Sequence, residues 1–144
     1  MAPPTTLTPR QLLLAIVAVA AGGALGTLLR DLALNAGTAQ WYLNIVGSRG
    51  WGSHVPWILG LINVLGVYLA TAALRGPLMQ HNPNQLTRLL VVTGFFGGFT
   101  SYSSLFVSLW AIWRVSVTGS VLTGLTAVLS GVLAAWLGAR SWSR

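Results

Sequence analysis

The sequence predicts an all-α membrane protein of four transmembrane helices, the third of them broken near its middle. Three observations carry that expectation. Of its 144 residues, 54% are hydrophobic and 6% charged, with a mean hydropathy of +0.73, too apolar a balance to wrap a core in a hydrated surface. Four apolar segments reach the roughly 20 residues that a helix needs to cross a ~30 Å hydrocarbon layer. The eight arginines stand singly among these segments, as loop charges bordering membrane spans do.

The expected spans are residues 11–34, 55–74, 86–113 and 117–137, in one transmembrane domain covering 1–144. The first begins after Arg10 and passes "AVAAGGALG", a pattern that also fits a secretory leader with a small-residue cleavage site. Its apolar character continues to Leu29, which favours a span. Residues 31–54 form a long mixed loop whose "WYLNIVGSRGWGSH" suits the membrane interface, where Trp and Tyr rings are at home. "RGPLMQHNPN" (75–84) combines helix-stopping prolines with turn-forming asparagines. The opening "MAPPTTLTP" is expected to be a disordered tail.

Within the third segment, "GGFTS" interrupts a greasy run. Unpaired backbone at membrane depth is tolerated only where protein or a water-filled cavity surrounds it. The stretch therefore predicts two half-helices. Carbonyls freed by such a break can ligate a hard cation, and half-helix N-termini favour anions.

Charge and composition narrow the chemistry. There is no lysine, no cysteine and a single acid, Asp31, for a formal net charge of +7. Scattered arginines do not make the basic stripe of a nucleic-acid binder, so no nucleic-acid partner is expected. Without cysteine there is no thiolate chemistry. No constellation for hydrolysis or redox work is present, and His54 and His81 fall in loops on opposite sides, so no enzyme is expected. Four spans put both termini on one side with Arg10, Arg75, Arg88, Arg140 and Arg144, against Arg30, Arg49 and Arg114. That distribution leans toward cytoplasmic termini, more so with Arg30 inside a helix.

Helix faces supply the rest. Gly22 and Gly26 form a GxxxG pair, and Gly124, Gly131 and Gly138 recur every seven residues, the small-residue rows that let membrane helices touch. Thr123, Thr126 and Ser130 share a narrow arc, as do Ser101, Ser104 and Ser108. Each arc is either a ladder of donors or a set of hydroxyls bonding their own helix carbonyls. Asn63 has an NH2 group for an anion or for interhelical bonding. Arg30 can draw anions toward a vestibule or snorkel to the headgroups. Hydroxyls, an amide, ring edges and excess positive charge together point to an anion path.

Three stretches, "GGALGTLLR" (22–30), "INVLG" (62–66) and "GFFGGFTSYSS" (94–104), together resemble the Fluc/CrcB fluoride channels, in that family's order. The resemblance implies small four-helix subunits that pair as an antiparallel dimer, with two fluoride paths around a central structural Na⁺. It assigns the backbone carbonyls of Gly97 and Thr100 to that ion. Arg30 is placed near a fluoride mouth, Asn63 and the hydroxyl-run residue Ser104 in the path, and Ser130 on the polar track, with Thr126 where a tyrosine is usual. Tyr102 and Leu105 occupy positions usually held by two phenylalanines, whose ring edges can face an anion. Ser108 stands where many members carry glutamate, and the long first loop is atypical.

The expected function is a fluoride-selective passive channel in the cell membrane, bounded by lipid, that exports fluoride and relieves its toxicity. Asn63, the hydroxyls and the Tyr102 ring edge are its expected donors, and an apolar residue at 63 is expected to cut conduction while sparing assembly. The departures leave open a second reading, a non-conducting or partly conducting partner subunit in a heterodimer. A dual-topology small drug exporter is a third, but such transporters use a membrane glutamate and this chain has none.

Overall fold

The computed structural model describes residues 8–35, 55–76, 79 and 84–142. Residues 1–7 of the expected N-terminal tail, the interfacial stretch 41–54, His54, His81, Arg49 and Arg144 lie outside them, whereas Thr8 and Pro9, expected in that tail, are ordered at the start of the first helix. All the regular structure among the described residues is helical.

Helix α1 runs Pro9–Asn35 and α2 Trp57–Arg75. Asn84 starts α3 (residues 85–99), its side chain accepting from the Leu86 amide at 3.2 Å. α3 winds as a π-helix over Leu89–Phe96 and tightens again at Gly97–Phe99. After two extended residues, Thr100 and Ser101, α4 covers Tyr102–Trp113. Ser116 caps α5, Val117–Arg140, by accepting from the Gly119 amide at 3.0 Å. With α3 and α4 counted together, four rods are long and apolar enough to cross a membrane.

The rods associate in two pairs. α1 lies along α3, α5 lies along α2, and α4 folds back on α5. Between α4 and α5 the buried Ser120 donates to the Leu109 carbonyl at 2.8 Å, fastening the hairpin.

Glycines set the α1–α3 distance. A Cβ on Gly22 would strike the Leu90 carbonyl, one on Gly26 the Phe95 carbonyl, and one on Gly98 the Gly23 carbonyl. A Cβ on Gly94 would lie 2.7 Å from the Val19 oxygen. Gly94 and Gly98 thus form a second GxxxG pair, and the two pairs interlock along helices that run in the same direction. Lipid offers no hydrophobic drive for helix association, so close backbone contact has to supply it. Of the "GFFGGF" glycines, Gly94 and Gly98 serve this packing, and the break itself falls one turn later at Thr100–Ser101. Gly138 lets α5 meet α2 in the same way, since a Cβ there would collide with Thr71 Oγ1.

Few apolar side chains are buried within the subunit. Ile112 is the one large side chain fully enclosed among the described residues, whereas Phe106, Val107 and Leu129 stand about two-thirds exposed at 67%, 71% and 68%. Such an outer surface belongs in hydrocarbon.

Gly98→Ala is expected to destabilise the protein by about 1–3 kcal/mol, the usual range for overpacking a closed contact. Gly60, where a Cβ meets open space, should accept Ala without loss. Thermal unfolding of both variants in one detergent checks the pair.

Candidate functional site

A helix that stops in mid-membrane leaves carbonyls at its end and amides at the start of the next helix without their usual partners. Here α1 and α2 supply replacements. From α2, Asn63 reads the Ser101 backbone on both sides: its Oδ1 accepts from the Ser101 amide at 2.8 Å, and its Nδ2 donates to the Ser101 carbonyl at 3.3 Å. One turn along the same face, Gly66 leaves room for the Thr100 methyl and the Phe99 ring. From α1, Arg30 donates to the Gly98 carbonyl at 3.2 Å, and Thr27, one turn earlier, approaches the same oxygen at 3.4 Å. The arginine is part-buried against the break instead of snorkelling outward.

Ser101 completes the junction as the N-cap of α4. Its Oγ receives the Ser104 amide at 3.3 Å and touches the hydroxyls of Ser103 and Ser104 at 3.2 and 2.9 Å. The Thr100 hydroxyl bonds back to the Phe96 carbonyl at 2.8 Å. Three carbonyls remain: those of Gly97, Phe99 and Thr100 accept no bond across the break among the described residues. They include the Gly97 and Thr100 pair assigned to Na⁺ by resemblance, and bare carbonyl oxygens are the donor chemistry a hard monovalent cation takes. No cluster of His, Asp or Glu able to hold a metal is found among the described residues.

The second group of expected site residues lies apart from the break. A cleft of about 350 Å³ between α2, α4 and α5 is lined by Leu105, Thr123, Thr126, Ser130 and mostly aliphatic neighbours such as Val64. The cleft gathers Leu105, Thr126 and Ser130, while Arg30, Asn63, Gly97, Thr100 and Ser104 gather at the break. Tyr102, in the first turn of α4, is not among the residues lining the cleft and brings its hydroxyl near Gly131 of α5.

The hydroxyl ladders are mostly turned inward on their own helices. Thr123, Thr126 and Ser130 donate to the carbonyls of Gly119, Leu122 and Ala127 at 2.8, 2.8 and 3.1 Å. Ser108 donates to Ser104 at 3.0 Å. A hydroxyl in that state offers lone pairs, not its hydrogen, and must rotate before it can donate to an anion. Asn63 keeps one of its two amide hydrogens uncommitted.

Sequence reasoning missed Thr27, Ser120 and the second GxxxG pair. The i,i+3 spacing of Thr27 and Arg30 and the four-residue spacing of Gly94 and Gly98 were the available signals.

These features define a multi-pass helical membrane protein organised about a polar break at bilayer depth. Comparison with known proteins refines that class. Residues 17–139 match the family described as CrcB-like protein, Camphor Resistance (CrcB), and the chain belongs to that family. Its relatives include a protein from Thermus thermophilus, 36% identical over 123 residues spanning 85% of this chain and 88% of the relative. Another, from Variovorax paradoxus, is 32% identical over 131 residues, or 90% of this chain and 95% of the relative. Both bear the name fluoride-specific ion channel FluC. A Cutibacterium acnes relative named fluoride-specific ion channel FluC 1 is 37% identical over 125 residues, 81% of this chain and 76% of its own. The family's named members are thus ion channels, not enzymes.

Asn63→Leu should do more than remove a donor. It strands the Ser101 amide and carbonyl, each at a cost of about 1–3 kcal/mol when buried. The variant should melt several degrees lower, and hydrogen exchange at the Ser101 amide should accelerate markedly. The expectation that an apolar residue at 63 spares the assembly therefore does not follow from the geometry.

Proposed function

We propose that the chain is a subunit of a passive, fluoride-selective channel in the cell membrane, letting fluoride leave the cytoplasm and so relieving its toxicity. The observation that carries the proposal is the polar break at membrane depth, built from the three stretches that resemble the fluoride channels, in a chain whose relatives bear that name. The proposed physical logic is simple. Fluoride enters as neutral HF and dissociates at cytoplasmic pH, so a selective anion path suffices without energy coupling. Hydration must be replaced by fixed donors, and the candidates are Arg30 beside the break, Asn63, Tyr102, and the hydroxyls of Ser104, Ser108, Thr126 and Ser130 on rotation. Leu105 forms an aliphatic stretch of the wall.

In this proposal two subunits pair antiparallel across a structural Na⁺ held by the Gly97 and Thr100 carbonyls of each. The ion supplies a fixed positive charge, while the freed carbonyls gain the partner that the break denies them. Lipid surrounds the exposed apolar faces.

One observation favours a partner other than a second copy. Arg30 is bonded inside the fold and no longer counts as a loop charge. Among the described residues, Arg10, Arg75, Arg88 and Arg140 then sit at the end holding both helical termini, against Arg114 at the other. Such bias favours one insertion direction, so an antiparallel mate of opposite bias would complete a heterodimer, within which this subunit conducts weakly or not at all.

The test is reconstitution of the purified chain alone into liposomes, with efflux of fluoride and chloride followed by ion-selective electrodes. Rapid fluoride-selective efflux that falls when N-methylglucamine replaces Na⁺ is the expected result for a homodimer. Silence from well-folded protein, restored by adding a second family subunit, identifies the heterodimer. Silence under both conditions refutes the channel assignment.

A further inference from the structure

We propose that the amino-terminal ends of α1 and α3 form a binding site for one anionic phospholipid, with its phosphate at a polar mouth and an acyl chain in an apolar groove along α1. The site shares no residue with the break or with the cleft between α2, α4 and α5. It stands whether or not the chain conducts fluoride.

The two helices run in the same direction and touch through glycines from the level of Val19 and Gly22 onward. Toward their amino termini that contact gives way to a cleft of about 210 Å³, lined by Gln11, Leu14 and Ala15 of α1 and Gln85, Leu86 and Leu89 of α3. A glutamine comes first along each helix and apolar residues follow, the order that a headgroup and its chain require. Ala15 also lines a shallow apolar groove of about 400 Å³ that continues along α1 past Ile16, Val19 and Ala20.

The mouth carries positive charge that no acidic side chain of this protein neutralises. Arg10 stands one residue before Gln11 and Arg88 one residue before Leu89; both are exposed, and neither has a hydrogen-bond or ion-pair partner among the described residues. Asp31, the only acidic side chain in the sequence, lies toward the far end of α1, about 30 Å from Arg10 at the helical rise. Gln11 adds an oriented donor. Its Oε1 accepts from the Thr8 amide at 2.9 Å and the Thr8 Oγ1 accepts from the Gln11 amide at 3.3 Å, a capping box that holds the carbonyl end and leaves the NH2 group to donate. Two guanidinium groups and a primary amide suit a phosphate through charge-assisted hydrogen bonds, and basic pockets between membrane helices bind acidic headgroups. A free phosphate uses only the mouth, whereas the groove joined to it at Ala15 fits a phosphate that carries an acyl chain. The unpaired arginines select an acidic lipid over a zwitterionic one.

The experiment is native mass spectrometry of the full chain, delipidated in detergent and titrated with phosphatidylglycerol, with phosphatidylcholine, and with phosphatidylglycerol in the presence of excess inorganic phosphate. One phosphatidylglycerol per chain should be retained in preference to phosphatidylcholine, and inorganic phosphate should not displace it. Arg10→Gln or Arg88→Gln should weaken binding about fivefold and the two together about thirtyfold, the scale set by each basic residue at an anionic lipid surface. Arg114→Gln, at the opposite end of the bundle, should leave it unchanged. Ala15→Phe, which blocks the passage from mouth to groove without altering charge, should also weaken it. Melting temperatures of the arginine variants that match the parent in lipid-free detergent separate lost binding from misfolding. Equal retention of the two lipids, retention of neither, displacement by inorganic phosphate, or a loss in Arg114→Gln as large as in the paired variant overturns the inference. Failure of the chain to conduct fluoride bears on the proposed function alone.

Discussion

Everything in this fold is arranged around a problem of backbone hydrogen bonding at one point in the membrane. A helix that ends at Thr100 and restarts at Tyr102 exposes polar groups where neither water nor lipid can satisfy them. Asn63 and Arg30 solve it from two different helices, one by gripping the Ser101 peptide on both sides, the other by reaching the Gly98 carbonyl. Both are strongly polar side chains that would be costly in hydrocarbon on their own. Each is stabilised by the break as much as the break is stabilised by them, so α1, α2 and the α3–α4 rod hold one another in register. The close α1–α3 packing through paired glycines is the geometric condition for this, since it brings Thr27 and Arg30 within reach of the α3 terminus.

The same clamp sorts the chemistry of the break. Donors occupy the carbonyls of Gly98 and Ser101 and leave those of Gly97, Phe99 and Thr100 bare, and α4 begins at the same junction. One junction therefore presents oxygen ligands suited to a cation and a positive dipole end suited to an anion, at nearly the same depth. The inward-turned hydroxyls of α5 add a store of donors released only by side-chain rotation, which keeps the intervening cleft apolar at rest.

The subunit is thin, and its surplus of exposed leucine, valine and tryptophan is a property of the solvent it expects. In water so small a buried core would leave the chain unfolded. In a bilayer the outer faces need no burial, and small-residue contacts with a few interhelical hydrogen bonds are enough. Ser120 to Leu109 and Tyr68 to Ser141, the latter at 3.0 Å, are examples that fasten the helix ends.

The sequence by itself determined the four apolar rods, the interruption in the third and the scarcity of acids, because span length, glycine and hydroxyl placement and charge are local properties of the chain. It also made the three motif stretches legible as a family pattern. The partners of those motifs were decided by tertiary structure alone. That Asn63 serves Ser101, that Arg30 turns inward to Gly98, and that Gly94 and Gly98 face Gly22 and Gly26 depend on which helices lie side by side. The "GG" of residues 97–98 shows the reason most clearly: a glycine pair reads equally as a breaker or a contact surface. Only the neighbour's backbone, with the Gly23 carbonyl where a side chain would otherwise be, decides that Gly98 is there for closeness and that the break belongs to Thr100 and Ser101.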